Sequence, residues 1–317
     1  MNFSFFNKKP LIKGIILTII SYFFLGLSSV FVKKTTHDLS IWQILFWQNL
    51  ICLLLSLYYF YRNKTLNFKV KKISLHIYRG IFGTTCYWAF YKTLSLLDLV
   101  NATVLTYLAP FFVPFISHLW IKEPMEKKIW ASLSLGFLGM LIILKPGDNL
   151  TLGWGFLIGI ISAVTTAASI VSIRVLNTKG ESLSSMLIYF FLSGIIISLP
   201  LAISDWTWLS FNNFIFMLCV GILTFIGQIL FNIAYSYGTA VFLSPLCYFI
   251  ILFNFIFSWF FFNVLPHWNA FLGSFLIILG GTITILMKSH SSSFPEILSQ
   301  KAFQEPRWKK LVFWRKK

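Results

Sequence analysis

Apolar stretches close to 20 residues long recur along this 317-residue chain, separated by short polar or charged breaks. That length suits a helix crossing about 30 Å of hydrocarbon, and no other feature restricts the possible folds as strongly. Ten runs are expected to span: 14–32, 42–61, 77–97, 101–121, 129–145, 153–173, 184–203, 212–236, 241–264 and 270–287. At the tight joins near Asp98 and Thr239, two spans are hardest to tell from one long hairpin. Spanning strands would alternate over short segments. These runs are continuous and rich in Leu, Ile and Phe, so an all-α integral membrane protein follows. The first run is too long for a signal-peptide core and lacks a small-residue cleavage site, so it is expected to remain as the first helix.

Charged residues make up 11% of the chain, against about 25% in a soluble domain. The formal net charge is nevertheless +17, which raises the question of nucleic acid. Its placement points elsewhere. With the amino terminus in the cytoplasm, the even span count leaves only Lys33, Lys34, Lys92 and Lys145 of the 26 Lys and Arg on the far side. That asymmetry is the positive-inside pattern of a multi-pass inner-membrane protein with both termini cytoplasmic. No nucleic-acid partner is expected.

The four cysteines, Cys52, Cys86, Cys219 and Cys247, lie inside expected spans without a C-x-x-C pair, so they read as small packing residues rather than as disulfides or metal ligands. All nine Asp and Glu sit at helix ends, in loops or in the tail. Intramembrane carboxylates are the usual proton and sodium relays, so carboxylate coupling is not expected. Paired acids, a P-loop and H-E-x-x-H are all missing, which leaves no catalytic residue to nominate. Neither an enzyme, a metal nor a cofactor is expected.

Shifting the chain against itself by 141 residues pairs Gly14 with Gly155, Ser21 with Ser162, Ser28 with Ser169, Gly80 with Gly221, Phe90 with Phe231 and Tyr107 with Tyr248. Lys33 meets Arg174 in the same register. Two five-helix repeats are therefore expected, 14–145 and 153–287, flanked by a short amino terminus (1–13) and a basic tail (288–317). Because five is odd, the second repeat enters the membrane from the opposite side. Such a five-plus-five inverted repeat lets one half rock against the other about a midplane site.

Several segments in this order resemble the EamA type of the drug/metabolite transporter superfamily. They are R-G-x-x-G (Arg79, Gly80, Gly83), F-Y-K-T-L (Phe90 to Leu94), K-E-P (Lys122 to Pro124) before G-F-L-G (Gly136 to Gly139), S-P-L-C-Y (Ser244 to Tyr248), F-N-V-L-P (Phe262 to Pro266) and L-G-G (Leu279 to Gly281). The resemblance covers about 14–287. The second half is most similar to the branch containing S-adenosylmethionine carriers of intracellular bacteria. Two departures stand out: Val264 where the family usually has Glu, and Gln48 and Asn49 where many members have Phe-Arg. The resemblance implies the transporter fold and a small organic substrate without fixing which one.

Candidate site residues follow from helical phase. Thr84, Trp88 and Tyr91 fall at i, i+4 and i+7 of the third run, and Gln228 and Asn232 at i and i+4 of its repeat mate. Uncharged hydrogen-bonding groups at lipid depth either join helices or face a cavity. Tyr107 lies just before Pro110 and Pro114, and its mate Tyr248 follows Pro245. Each proline deletes a donor, which is tolerable at membrane depth only where protein, water or a cavity supplies partners. A kink opening a midplane cavity is expected there, with a static packing kink as the alternative. Arg79 and Glu123 are candidates for a gating ion pair at the cytoplasmic ends, with headgroup solvation as the alternative. His118 is the candidate for proton coupling, or else a histidine satisfied at the interface.

Basic residues interleaved with Trp308, Phe313 and Trp314 in the tail suit anionic headgroups of the cytoplasmic leaflet. The sequence thus predicts a bacterial inner-membrane carrier of a small metabolite, an exchanger or facilitator for S-adenosylmethionine, an amino acid or a related compound. A non-transporting membrane scaffold is the rival reading. Oligomeric state is not legible.

Overall fold

The computed structural model describes residues 8–122, 127–144 and 153–263, with scattered helical residues between 268 and 283. Glu123, Val264, the tail and most of the last apolar run lie outside the described residues. Among the described residues every regular element is helical: α1 (Lys8–Thr35), α2 (Ile41–Arg62), α3 (Ile73–Leu96), α4 (Leu99–Thr106), α5 (Ala109–Ile121), α6 (Lys127–Leu144), α7 (Trp154–Thr178), α8 (Leu183–Ile203), α9 (Phe211–Tyr237), α10 (Ala240–Leu243), a 3-10 turn (Ser244–Cys247) and α11 (Tyr248–Phe262). Among the described residues seven stretches are long and apolar enough to cross a membrane, taking α4 with α5 and α10 with α11 as single stretches. Helix α3 is not one of the seven. Its 24 residues reach about 36 Å, but His76, Arg79 and Lys92 lower its apolarity.

Helix starts are fixed by side chains that accept from otherwise unpaired first-turn N–H groups. Ser40 accepts from Gln43 N, Ser182 from Ser185 N, Ser210 from Asn213 N and Thr239 from Phe242 N. The joins near Asp98 and Thr239 are resolved as true helix starts, because each residue is extended and occupies the N-cap of the next helix.

The most extensive packing pairs α1 with α9, α3 with α7 and α2 with α8. Specific contacts map onto one another under the 141-residue shift. A Cβ at Gly14 would meet Tyr237 Cβ at 3.0 Å, and one at Gly155 would meet Leu96 Cβ at 3.4 Å. Cys52 donates to the Gly221 carbonyl at 3.2 Å, and its mate Ser193 lies where a Cβ on Gly80 would point. Lys33 Nζ donates to the Leu94 and Leu97 carbonyls at the end of α3 (2.6 and 2.9 Å). Arg174 donates to the Tyr235 carbonyl at the end of α9 (3.3 Å). A cation at a helix carboxyl end satisfies orphan carbonyls and favours the helix dipole. Small residues supply the close approach because lipid tails offer helices no hydrophobic drive to associate.

Two of the crossings are interrupted. Between α4 and α5, Tyr107 and Leu108 leave regular helical geometry just ahead of Pro110, which sits in the first turn of α5. Pro114 is accommodated inside α5. In the mate crossing, Pro245 lies in the 3-10 turn.

Gly80→Val and Gly221→Val are each expected to cost about 1–3 kcal/mol of stability by overpacking a helix crossing. The melting temperature of the detergent-purified protein would report it, and unchanged melting would mean that these helices have room to part.

Candidate functional site

Where α1, α3, the α4–α5 break, α7, α9 and α11 converge, they enclose a cavity of about 70 Å3. Small-molecule pockets typically measure roughly 300–1,000 Å3, so the walls must move to admit a metabolite. Repeat mates line this space together: Leu25 and Thr166, Ser28 and Ser169, Ser29 and Ile170, Tyr87 and Gln228, Phe90 and Phe231. The Tyr87 to Gln228 hydrogen bond, donated by Gln228 Nε2 at 2.8 Å, joins one such pair directly.

The wall breaks this symmetry at one charged residue. Arg79 is 3% exposed, and its Nη1 donates to Ser169 Oγ at 2.5 Å while Nη2 donates to Gln228 Oε1 at 3.2 Å. Its Cζ lies 3.9 Å from the centroid of the Phe190 ring, an arrangement that favours the cation electrostatically. The repeat mate of Arg79 is Val220. Asn232 Nδ2 extends the network by donating to the Gln228 carbonyl at 2.8 Å and to its Oε1 at 3.4 Å.

Hydroxyl groups complete the polar lining. Ser28 and Thr224 share a 2.9 Å hydrogen bond between α1 and α9. Cys86 and Thr166 approach to 3.0 Å, and Thr106 donates to Ser162 at 3.1 Å. Tyr91 donates to Gln48 Oε1, which gives one of the two atypical residues of α2 a partner at the edge of the cavity. Tyr22 packs edge-on against Tyr107 and Phe231, with ring centroids 5.8 and 5.5 Å apart.

Of the residues nominated from the sequence, Tyr91, Tyr107 and Gln228 line the cavity. Four do not. Thr84 is buried beside it, and Trp88 stacks on Trp42 at 5.6 Å in a second pocket with Lys92 and Asp205. Asn232 stands behind Gln228. Tyr248 is fully buried with its ring where a Cβ on Gly136 would point. The cavity face of α3 is Arg79, Cys86, Tyr87, Phe90 and Tyr91, at i, i+7, i+8, i+11 and i+12. It is rotated by about one residue, roughly 100°, from the face anticipated.

Arg79 was placed at a helix end by a span starting at residue 77. Helix α3 starts at Ile73 instead, so Arg79 lies well inside it on the cavity wall. Its nominated partner Glu123 lies outside the described residues. Pro110 and Pro114 are buried beside the α4–α5 break, Pro245 is buried in the 3-10 turn, and His118 is exposed near the end of α5. Ser28 and Ser169 were legible only as repeat mates, and that pairing was the available signal for their place in the site.

A multi-pass helical membrane protein of two repeats around a central polar cavity is the class that this fold and site define. The profile of the EamA-like transporter family matches residues 12–145 and 153–286, and the chain belongs to that family. It is 24% identical over 267 residues to the pseudopaline exporter of Pseudomonas aeruginosa, covering 84% of this chain and 93% of that protein. Over 258 residues it is 27% identical to the S-adenosylmethionine uptake transporter of Rickettsia conorii, covering 79% and 83% of the two chains. Over 257 residues it is 26% identical to a riboflavin transporter of Brucella anthropi, covering 79% and 89%. A solved crystal structure superposes with a TM-score of 0.70 at 16% identity, covering 88% of this chain and 99% of the other, which establishes the likeness of fold. The protein is thus a small-molecule transporter by family.

Gln228→Leu strands the Tyr87 hydroxyl and one Arg79 donor, so it is expected to cost about 1–3 kcal/mol. Tyr87→Phe should cost less, and in the double variant the two effects should fall short of their sum, as a thermal-unfolding cycle would reveal.

Proposed function

We propose that this protein moves a small organic metabolite across the bacterial inner membrane by alternating access, as an exchanger or facilitator. Ten spanning helices in two inverted five-helix repeats, with both termini cytoplasmic, form the carrier. The observation that carries this reading is the cavity lined by repeat mates, because a site on the axis relating two halves is equally reachable from either side.

Both ends of the bundle are tied by cross-repeat contacts, and the loops involved exchange places under the 141-residue shift. At one end Glu181 Oε1 accepts from the backbone N–H groups of Lys71 and Lys72 (2.8 and 3.3 Å), and its other oxygen lies 3.6 Å from His76 Nε2. At the other, Asn213 donates to Asp38 at 3.0 Å and Gln43 Nε2 to the Thr207 carbonyl at 2.5 Å. Releasing one set while keeping the other opens the cavity to one side. The breaks at Tyr107–Leu108 and Ser244–Cys247, where regular α-helical pairing is already interrupted, are where the crossings can bend. S-adenosylmethionine, the cargo in the name of the Rickettsia conorii relative, heads the substrates to test, with amino acids beside it.

Proteoliposomes of the purified chain are expected to take up such a labelled metabolite, faster when the lumen is preloaded with unlabelled compound. Absence of uptake for every metabolite and gradient tried, with the protein demonstrably folded, would refute the carrier reading and favour a scaffold.

A further inference from the structure

We infer that Arg79 forms an anion subsite and that the transported compound carries a single carboxylate, which docks on this guanidinium. The inference rests on the carrier reading above and deepens it.

Among the described residues lining the cavity, Arg79 is the only one with a charged side chain. Among the described residues no carboxylate is paired with it; the Glu181 carboxylate lies beside His76 instead. A guanidinium carries five N–H donors, and Arg79 engages two uncharged acceptors, Ser169 and Gln228. Burying a cation without a counter-charge is costly, and the Phe190 face with two neutral oxygens offsets only part of that cost. The planar donor fork matches a carboxylate in a bidentate arrangement.

Charge balance sets the number of acidic groups. One guanidinium neutralises one carboxylate, whereas a dicarboxylate or phosphate dianion brings a second negative charge to a wall whose described residues include no second cation. The rest of the compound meets Tyr22, Tyr87, Tyr91 and Tyr107. Those rings accept apolar groups, and an ammonium group by cation-π contact. Amino acids and uncharged-tail monocarboxylates both satisfy this wall.

The test uses proteoliposomes of the full chain in a soluble bacterial metabolite extract, with accumulated compounds identified by mass spectrometry against protein-free vesicles. The accumulated compounds are expected to carry one carboxylate. For the most enriched of them, excess unlabelled free acid should abolish uptake, and its methyl ester or amide should not compete. Arg79→Gln should lower that uptake by at least about tenfold, and Arg79→Lys should retain part of it, with melting temperatures confirming folding. The acid-versus-ester comparison on the unmodified protein stands even where a variant fails to fold. Accumulation of compounds lacking an acid group, equal competition by ester and acid, or full uptake by folded Arg79→Gln would overturn the subsite and leave the carrier reading intact. No accumulation at all by the folded protein would remove both.

Discussion

Inside hydrocarbon there is no water to satisfy a backbone N–H or carbonyl, so each helix must pair its own main chain and each interruption must find partners in the protein. Within this bundle the interruptions cluster. The α4–α5 break and the 3-10 turn before α11 fall within a few residues of one another under the 141-residue shift, and the first contributes Thr106 and Tyr107 to the cavity wall. Prolines are placed where the ladder is already open: Pro110 in the first turn of α5 and Pro245 in the 3-10 turn. Pro114, one turn on, and Pro200 in α8 are instead absorbed inside helices. Lys33 and Arg174 serve the same constraint at the helix ends by taking up carbonyls that end without an intrahelical partner.

Near-symmetry and one departure from it divide the work. Repeat-related contacts, glycine against its neighbour and serine in the cavity wall, give both halves the same way of packing. Arg79 opposite Val220 breaks that equivalence and gives the cavity a chemical polarity that an all-hydroxyl wall lacks. It also binds three helices together, since α3 reaches Ser169 on α7 and Gln228 on α9 through one guanidinium. A ligand that competes for those donors would loosen the contact among α3, α7 and α9, as the proposed carrier cycle requires.

Much of this was legible in the sequence, for identifiable reasons. The helical membrane class follows from run length, and the two repeats from spaced Gly, Ser and Tyr in register, because close helix contacts and cavity hydroxyls tolerate few residue types. Phase around each helix was harder to read. Thr84 and Trp88 are as polar or as amphipathic as Cys86 and Tyr87, and nothing in their types reveals which face meets α7. Arg79 was misplaced because a span drawn by apolarity begins after the polar first turn of α3, whereas the helix itself begins at Ile73. Burial of an arginine depends on acceptors 90 and 149 residues away, which no local window contains.

The central claim is that one cavity is reached alternately from both faces of the membrane, and Cys86 on its wall is a natural reporter. The decisive measurement is labelling of Cys86 by a membrane-impermeant thiol reagent, with Cys52, Cys219 and Cys247 replaced by Ala, in vesicles of each orientation. Alternating access predicts that Cys86 is labelled from either side and that transported substrate slows both reactions. Labelling from one side only, whatever substrate or gradient is applied, would contradict it.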